Sequence, residues 1–218
     1  VNLQSIYHSK ILLATIPEID ALGLVVKDDQ YLDPLIAYLK HSNTDFIFSE
    51  IGVPLLSKPE ILETGVPFFI ASWQDQHESN KLTFDGIIDR KGRYKTDYFK
   101  LKNSLQNSSI NVEFPNIRIL KPATLIYQDL ILDYYALFYN SIEGCWNHGN
   151  ELKDFKFEWS LVKCDIYGNY IAIKDIGDGD KISIKIPRDP ERYKLLLTII
   201  KGDIITTTIT SLNTPLIQ

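Results

Sequence analysis

The sequence predicts an α/β region followed by an all-β region, with a short polar segment between them. Over residues 1–105, short apolar runs alternate with helix-like stretches, which is the pattern of parallel βα units. Over residues 117–218, about seven strand-like runs follow one another with turn residues between them, which is typical of a β-sandwich. Residues 106–116 contain several Ser and Asn and are predicted to be a linker.

The α/β region is predicted to contain three buried strands, because three short apolar runs lie at 19–26, 45–49 and 66–73. Residues 30–41 place Leu32, Leu35, Ile36 and Leu39 on one face at helical spacing. Further along, the sequence predicts a short helix at 58–64, an extended piece at 86–89, a turn at Gly92 and a closing helix at 94–104.

This region is too short for a complete (β/α)8 barrel, which takes roughly 250 residues. It holds about three βα units, and three strands alone would leave sheet edges bare. Two interpretations follow: the last units of a barrel that begins upstream of Val1, or a small open α/β layer. The first also accounts for a chain that starts at Val1 and contains no methionine, so we expect a piece of a longer protein.

The all-β region alternates apolar and polar residues along its predicted strands, at 117–121, 132–140, 155–164, 169–175, 181–187, 193–202 and 203–210. Trp159 is predicted to point inward from a central strand as a core anchor, and Tyr193 to be a corner tyrosine. Cys145 and Cys164 either pair across two strands or remain two thiols, since spacing alone does not fix disulfide geometry.

Composition excludes several kinds of partner. The chain has 218 residues and a net charge of −5, with charges of both signs interspersed, so nucleic-acid binding is not expected. No apolar run reaches the roughly 18 residues of a membrane helix, so no membrane span is expected. The four histidines lack the i, i+4 spacing of zinc ligands, and no metal is expected.

Candidate chemistry lies at the ends of two neighbouring predicted strands. Glu50 ends one strand, and Trp73, Gln74 and Asp75 follow the next. In βα folds the C-terminal edge of the strands is where active sites form. An indole beside hydrogen-bonding groups suits a sugar ring, and glycosidic cleavage requires a carboxylate facing the anomeric carbon. His77 is a further candidate for substrate contact.

The segments DFIFSEIGVP, FFIASWQDQHE and FDGIIDRKGRYKTDYFKLK together resemble the last two strands of family 2-type glycoside hydrolase barrels. In that family a Ser-Glu-Phe-Gly motif holds the nucleophile on the seventh strand, and a Trp-Gln/Ser-Asp motif ends the eighth. The resemblance spans about residues 15–102. The β-sandwich resembles the Ig-like or PKD-like modules that follow such barrels in bacteria.

The resemblance implies a role for each matching residue. Glu50 would be the nucleophile, Trp73 the floor of the subsite for the reacting sugar, and Gln74 and Asp75 nearby polar contacts. The tail of the motif is matched by Gly86, Asp89, Gly92, Lys95 and Tyr98. The implied activity is retaining hydrolysis of β-glycosidic bonds in a carbohydrate, without a cofactor. Since polymeric glycans lie outside the cytoplasm, the resemblance also implies an extracytoplasmic protein.

The sequence departs from the family pattern in ways that keep other interpretations open. No Asn-Glu pair for the acid/base precedes Glu50, and retaining hydrolysis needs two carboxylates, so this piece alone is expected to be inactive. Gln76 and Thr96 stand where the family has arginine and proline. The alternatives are a non-catalytic glycan-binding or structural module of a larger exported protein, and a free-standing open α/β domain.

Two smaller features also have alternative readings. The DIGDGD segment at 175–180 is predicted to be a turn, with a calcium loop as the alternative. A group of aromatic residues is either ordinary strand sequence or a sugar-binding face: Tyr134, Tyr135, Phe138, Tyr139 and Trp146.

Overall fold

The computed structural model describes residues 21–26, 32–41, 46–56, 58–78, 81–106, 112–123 and 128–212. These residues divide into two units with their own internal contacts. The first unit contains the described residues up to Asp75, together with 84–92 and 97–106. The second contains the remaining described residues, so that 76–83 and 93–96 belong with the strands beyond the predicted linker.

The first unit is built on three parallel strands in sequential order, β1 (Leu22–Val26), β2 (Phe46–Ile51) and β3 (Phe68–Ile70). Its helices are α1 (Leu32–His41), α2 (Val53–Leu56), α3 (Pro59–Leu62) and α4 (Thr96–Gln106). The short helix predicted at 58–64 is found as α3, and α2 is a further short helix that precedes it. Residues 19 and 20 of the first predicted strand lie outside the described residues.

One alternating set of strand residues forms the core of the first unit. Leu24, Phe46 and Phe48 are buried, and they pack with residues from the helices, namely Leu35, Ile36, Leu56, Ile61 and Leu101. The opposite set is more accessible, and Phe69 is 67% exposed. Within the described residues, the sheet is therefore well covered on one side only.

The second unit is a β-sandwich. Its main strands are β6 (Tyr94–Lys95), β7 (Ile117–Leu120), β8 (Ile131–Asn140), β9 (Cys145–His148), β10 (Lys156–Cys164), β11 (Tyr170–Asp178), β12 (Lys181–Lys185), β13 (Tyr193–Lys201) and β14 (Ile204–Ser211). One sheet has the order β11-β10-β13-β14-β6, and the other the order β12-β8-β7 with β9 also paired to β8. A two-stranded ribbon, β4 (His77–Glu78) and β5 (Lys81–Leu82), completes the unit.

The two sheets share one hydrophobic core. Trp159, Leu195 and Leu197 come from the five-stranded sheet, and Tyr134 and Ile184 come from the other. The Trp159 indole is fully buried, and its Nε1–H donates to the Gly179 carbonyl oxygen at 2.7 Å. This confirms the prediction that Trp159 is a core anchor.

Three predictions about the sandwich are decided by the structure. Tyr134 and Phe138 are buried, so the suggestion that they join an aromatic surface was wrong, because alternation turns them inward. Cys145 and Cys164 are both free thiols, the first exposed and the second buried. Residues 175–180 form the end of β11 and the turn into β12, as the turn prediction required.

None of the described helices is both long enough and apolar enough to cross a membrane.

Candidate functional site

A β-bulge places Glu50 near the C-terminal end of β2. In the pairing with β1, Leu24 faces Phe48 but Val25 faces Glu50, so Ser49 has no partner residue. The pairing with β3 is irregular at the same place. Phe48 pairs with Phe68 and Ile51 with Ile70, so a step of three residues along β2 matches a step of two along β3. A bulge changes the alternation of side chains and is frequent beside active sites.

The bulge exposes two successive polar side chains. Phe48 and Ile51 are buried, whereas Ser49 and Glu50 between them are both exposed. The neighbouring strand accommodates the bulge through Gly23, since a Cβ there would lie 3.2 Å from both Cβ and Oγ of Ser49. Glu50 is therefore a solvent-accessible carboxylate on the edge where βα folds place catalytic groups.

Trp73 follows β3 at the same edge of the sheet, because β2 and β3 are parallel. Its side chain is 65% exposed. Its backbone is fixed, since the Trp73 carbonyl oxygen accepts hydrogen bonds from the N–H groups of Ile87 at 3.0 Å and Ile88 at 3.2 Å. An exposed indole on a hydrogen-bonded backbone is a preorganised surface for an apolar ring face.

Residues 73–75 and 86–89 form a hydrogen-bonded unit, which we call the Trp73 clamp. The Asp75 N–H donates to the Ile88 carbonyl at 3.0 Å, and Gln74 Nε2 donates to the Asp89 carbonyl at 3.1 Å. Gly86 allows the two segments to approach, because a Cβ there would lie 2.4 Å from the Gln74 carbonyl carbon. The clamp explains why the sequence has glycine at this position.

Asp75 supports the clamp from inside. It is only 7% exposed, and its Oδ1 accepts a hydrogen bond from the Gly86 N–H at 3.0 Å. Gln74 is exposed, although its side-chain amide is bound to the Asp89 carbonyl. The predicted sugar contacts of Gln74 and Asp75 stay predictions, and the structure gives both residues contacts that hold Trp73.

His77 belongs to the second unit, where it is exposed in β4 and pairs with Leu82. The structure thus brings Glu50 and the Trp73 clamp to one edge of a single sheet and assigns His77 to the other unit. Two features were missed by sequence reasoning, namely the bulge at Ser49 and the internal contacts of Asp75. The second could not be predicted from the sequence, because it depends on Gly86, eleven residues after Asp75.

No protein-family model matches the chain, and no curated protein matches it. Among solved structures, it aligns with a β-glucuronidase of Bacteroides uniformis at 10% identity and a TM-score of 0.34, over 94% of this chain and 27% of that chain. A calcium-binding mutant of B. uniformis β-glucuronidase 2 aligns at 10% identity, with a TM-score of 0.33 and the same coverage. The chain therefore spans about a quarter of the length of these proteins.

A different solved structure, the sulfur carrier protein SoxY from Chlorobium limicola f thiosulfatophilum, aligns at 9% identity and a TM-score of 0.25. That alignment covers 45% of this chain and 74% of the SoxY chain. TM-scores this low do not establish a shared fold or a shared function.

Proposed function

We propose that this chain is the C-terminal portion of a retaining glycoside hydrolase that acts on β-glycosidic bonds. The observation that supports it most is an exposed carboxylate, Glu50, at the C-terminal edge of a parallel sheet that also presents the exposed Trp73 indole. In this proposal residues 1–105 are the last βα units of a (β/α)8 barrel, 106–116 a linker and 117–218 an Ig-like module.

The proposed chemistry assigns Glu50 the role of nucleophile. Its carboxylate attacks the anomeric carbon and forms a glycosyl ester while the leaving oxygen takes a proton from a second carboxylic acid. The same acid, now deprotonated, activates the water that releases the sugar. We assign this second group to barrel units encoded upstream of Val1, so the 218-residue chain alone is inactive in this proposal.

The Trp73 clamp supplies the binding half of the proposal. Trp73 would support the apolar face of the sugar at the cleavage point, and the hydrogen bonds of Asp75 and Gln74 would keep the indole in place. A polymeric carbohydrate substrate would also require an exported protein, so we propose an extracytoplasmic location.

The test uses the protein encoded by the whole reading frame, with the coding DNA upstream of Val1 included. It is incubated with a panel of activated 2-deoxy-2-fluoro β-glycosides, which trap the glycosyl ester. We expect peptide mass spectrometry to find the sugar on Glu50. We also expect Glu50→Gln to lose the adduct and to lower aryl β-glycoside turnover by at least about a thousandfold.

Glu60→Gln is the matched control, because Glu60 is an exposed acid of the same unit on α3 and should leave turnover unchanged. An adduct on another residue, or full turnover by Glu50→Gln, would contradict the proposal.

The second candidate is a non-catalytic glycan-binding module, which the 65% exposure of Trp73 favours. It predicts that the whole protein gives no adduct and no turnover, while a glycan still shields Trp73 from oxidation. The trapping experiment and tryptophan footprinting together therefore separate the two functions.

A further inference from the structure

The outward side of the four-stranded sheet of the sandwich is unusually aromatic. Along β8, Tyr134, Ala136 and Phe138 are buried, so the alternate residues Tyr135, Leu137 and Tyr139 lie on the opposite face. Exposed sandwich faces normally have polar residues at such positions.

Neighbouring strands extend this surface. Tyr139 pairs with Trp146 of β9, and Leu137 pairs with Arg118 of β7 on one edge and with His148 on the other. We call the set Tyr135, Tyr139, Trp146, His148 and Arg118 the aromatic face.

The rings of the aromatic face contact one another in pairs. Tyr139 and Trp146 have centroids 5.5 Å apart and planes inclined by 61°. Tyr135 and His148 are 5.7 Å apart in a similar edge-on arrangement. Tyr139 and Trp146 each remain 37% exposed. Both rings are therefore accessible to a ligand while they contact each other.

Arg118 gives the aromatic face a positive charge. Its guanidinium carbon lies 4.5 Å from the centroid of the Trp146 indole, a cation–π contact. Stacking leaves the N–H groups in the plane of the guanidinium available, and this planar fork matches a carboxylate.

Two lysines of β12 in the same sheet each form an ion pair with a carboxylate. Lys181 is 2.6 Å from Asp133, and Lys185 is 2.9 Å from Asp129. The hydrogen bonds from Lys181 and Ser183 lower the pKa of Asp133, which keeps that carboxylate ionised. In the described part of the chain, Arg118 has no carboxylate within ion-pair distance.

Cross-strand aromatic pairs alone do not account for this surface. Such pairs stabilise a sheet by roughly 0.2–1 kcal/mol each, which explains the contact of Tyr139 with Trp146 but does not require an arginine over the exposed indole.

We infer that the aromatic face is a binding site for an acidic glycan, a polysaccharide that contains uronate residues. A sugar ring packs against Tyr139 and Trp146, and its carboxylate binds Arg118. The ring nitrogens of His148, which is exposed on the same face, bind the sugar hydroxyls. The site lies entirely within the sandwich and does not depend on catalysis by Glu50.

The test is affinity electrophoresis of the 218-residue chain in gels that contain hyaluronan, alginate or polygalacturonate. Each polymer is compared with its carboxyl-reduced form, which keeps the sugar chain and removes the charge. We expect at least one uronate polymer to retard the protein, and its reduced form to retard it much less. Trp146→Ala and Arg118→Gln should each weaken the association by about tenfold or more.

Two exposed residues elsewhere on the sandwich give matched controls, Tyr167→Ala and Arg188→Gln, and both should bind as the wild type does. Glu50→Gln should also bind normally, which separates this site from the proposed catalytic one.

Tryptophan oxidation locates the ligand without a variant, and it decides the case if Trp146→Ala does not fold. Trp146 is 37% exposed, Trp73 is 65% exposed and Trp159 is fully buried. A bound uronate polymer should protect Trp146, leave Trp73 reactive and not affect Trp159.

Three results would overturn the inference. They are no retardation by any of the three polymers, unchanged binding by Arg118→Gln, or protection of Trp73 alone. A wild-type dimer in sedimentation that Arg118→Gln converts to a monomer would instead make the aromatic face a protein interface.

Discussion

The parallel sheet of the first unit and the β-sandwich of the second use their faces differently. The sandwich places the inward residues of two sheets against each other, so that Trp159 and Leu195 are fully buried. The parallel sheet buries Phe48 and its neighbours on one side, but Phe69 on the other side is 67% exposed. The sandwich thus buries residues of two sheets against each other, whereas the described part of the parallel sheet has an accessible side.

The same difference extends to polar groups. In the sandwich, the buried indole N–H and the Ser160 hydroxyl find partners within the unit, at Gly179 and Asp175. In the first unit, the bulge leaves Ser49 and Glu50 exposed at the end of β2. The candidate catalytic carboxylate thus lies exposed near the end of a strand, as expected when reactive side chains sit at the edge of a rigid scaffold.

The largest expected effect breaks the sandwich core. Trp159→Ala removes a fully buried indole and its 2.7 Å hydrogen bond to Gly179, so the free energy of unfolding should fall by about 3–5 kcal/mol. Phe69→Ala, on the accessible side of the parallel sheet, should cost less than about 1 kcal/mol. Urea denaturation followed by circular dichroism measures both. Equal losses of unfolding free energy in the two variants would contradict the prediction, because they would mean that Phe69 is buried as completely as Trp159.

An intermediate effect is expected in the Trp73 clamp. Gly86→Ala places a Cβ 2.4–2.8 Å from backbone atoms of Gln74 and Asp75, and backbone cannot rotate away, so about 1–3 kcal/mol of stability should be lost. The readout is hydrogen exchange of the Ile87 and Ile88 amides, which bond to the Trp73 carbonyl.

Gly65→Ala is the control for this prediction. Gly65 has a φ of +68° and no atom within 4 Å of the added Cβ, so its substitution costs only the left-handed conformation, about 1 kcal/mol. If the Ile87 and Ile88 amides exchange as slowly in Gly86→Ala as in Gly65→Ala, the close approach at Gly86 does not stabilise the clamp.

The sandwich was easier to predict from sequence than the first unit. Most of its strands from β7 onward were located within a few residues, because alternation and turn residues mark them directly, as at Gly202, whose φ is +60°. Strand β6 was instead predicted as the start of the closing helix at 94–104. Strand β9 was missed, since the sequence CWNH has neither an apolar run nor alternation. The aromatic group suggested as a possible sugar-binding face combined residues of both faces of β8, such as Tyr134 and Tyr135, and only the folded sheet shows which face is buried.

The sequence predicted the candidate site only where a residue's position follows from its place at the end of a strand. The positions of Glu50 and Trp73 at strand ends follow from local runs of apolar residues. The bulge at Ser49 shifts the pairing register without changing composition, so no sequence pattern indicates it. The engagement of Asp75 depends on Gly86, eleven residues later, and such contacts form only when the chain is folded.

The smallest expected effect at neutral pH concerns a buried hydroxyl group in the sandwich core. The Tyr134 hydroxyl is buried without a hydrogen-bond partner in the described part of the chain. Tyr134→Phe removes this unsatisfied group, so stability at pH 7 should stay equal or rise by about 1 kcal/mol. Tyr167→Phe, on an exposed turn, is the control and should change nothing.

The pH dependence of stability in the wild type and in Tyr134→Phe tests the burial of Tyr134 more sharply. Desolvation raises the pKa of Tyr134 to about 12, from 10.0, so the folded state holds this proton more tightly than the unfolded state does. The corresponding stability is complete below pH 10 and is lost between pH 10 and 12, at roughly 1.4 kcal/mol per pH unit. Tyr134→Phe lacks this loss, so its advantage over the wild type should grow as the pH rises above 10. A constant difference between about pH 9 and pH 11 would mean that Tyr134 ionises as an exposed tyrosine does, and that the sandwich core is open to water at this residue.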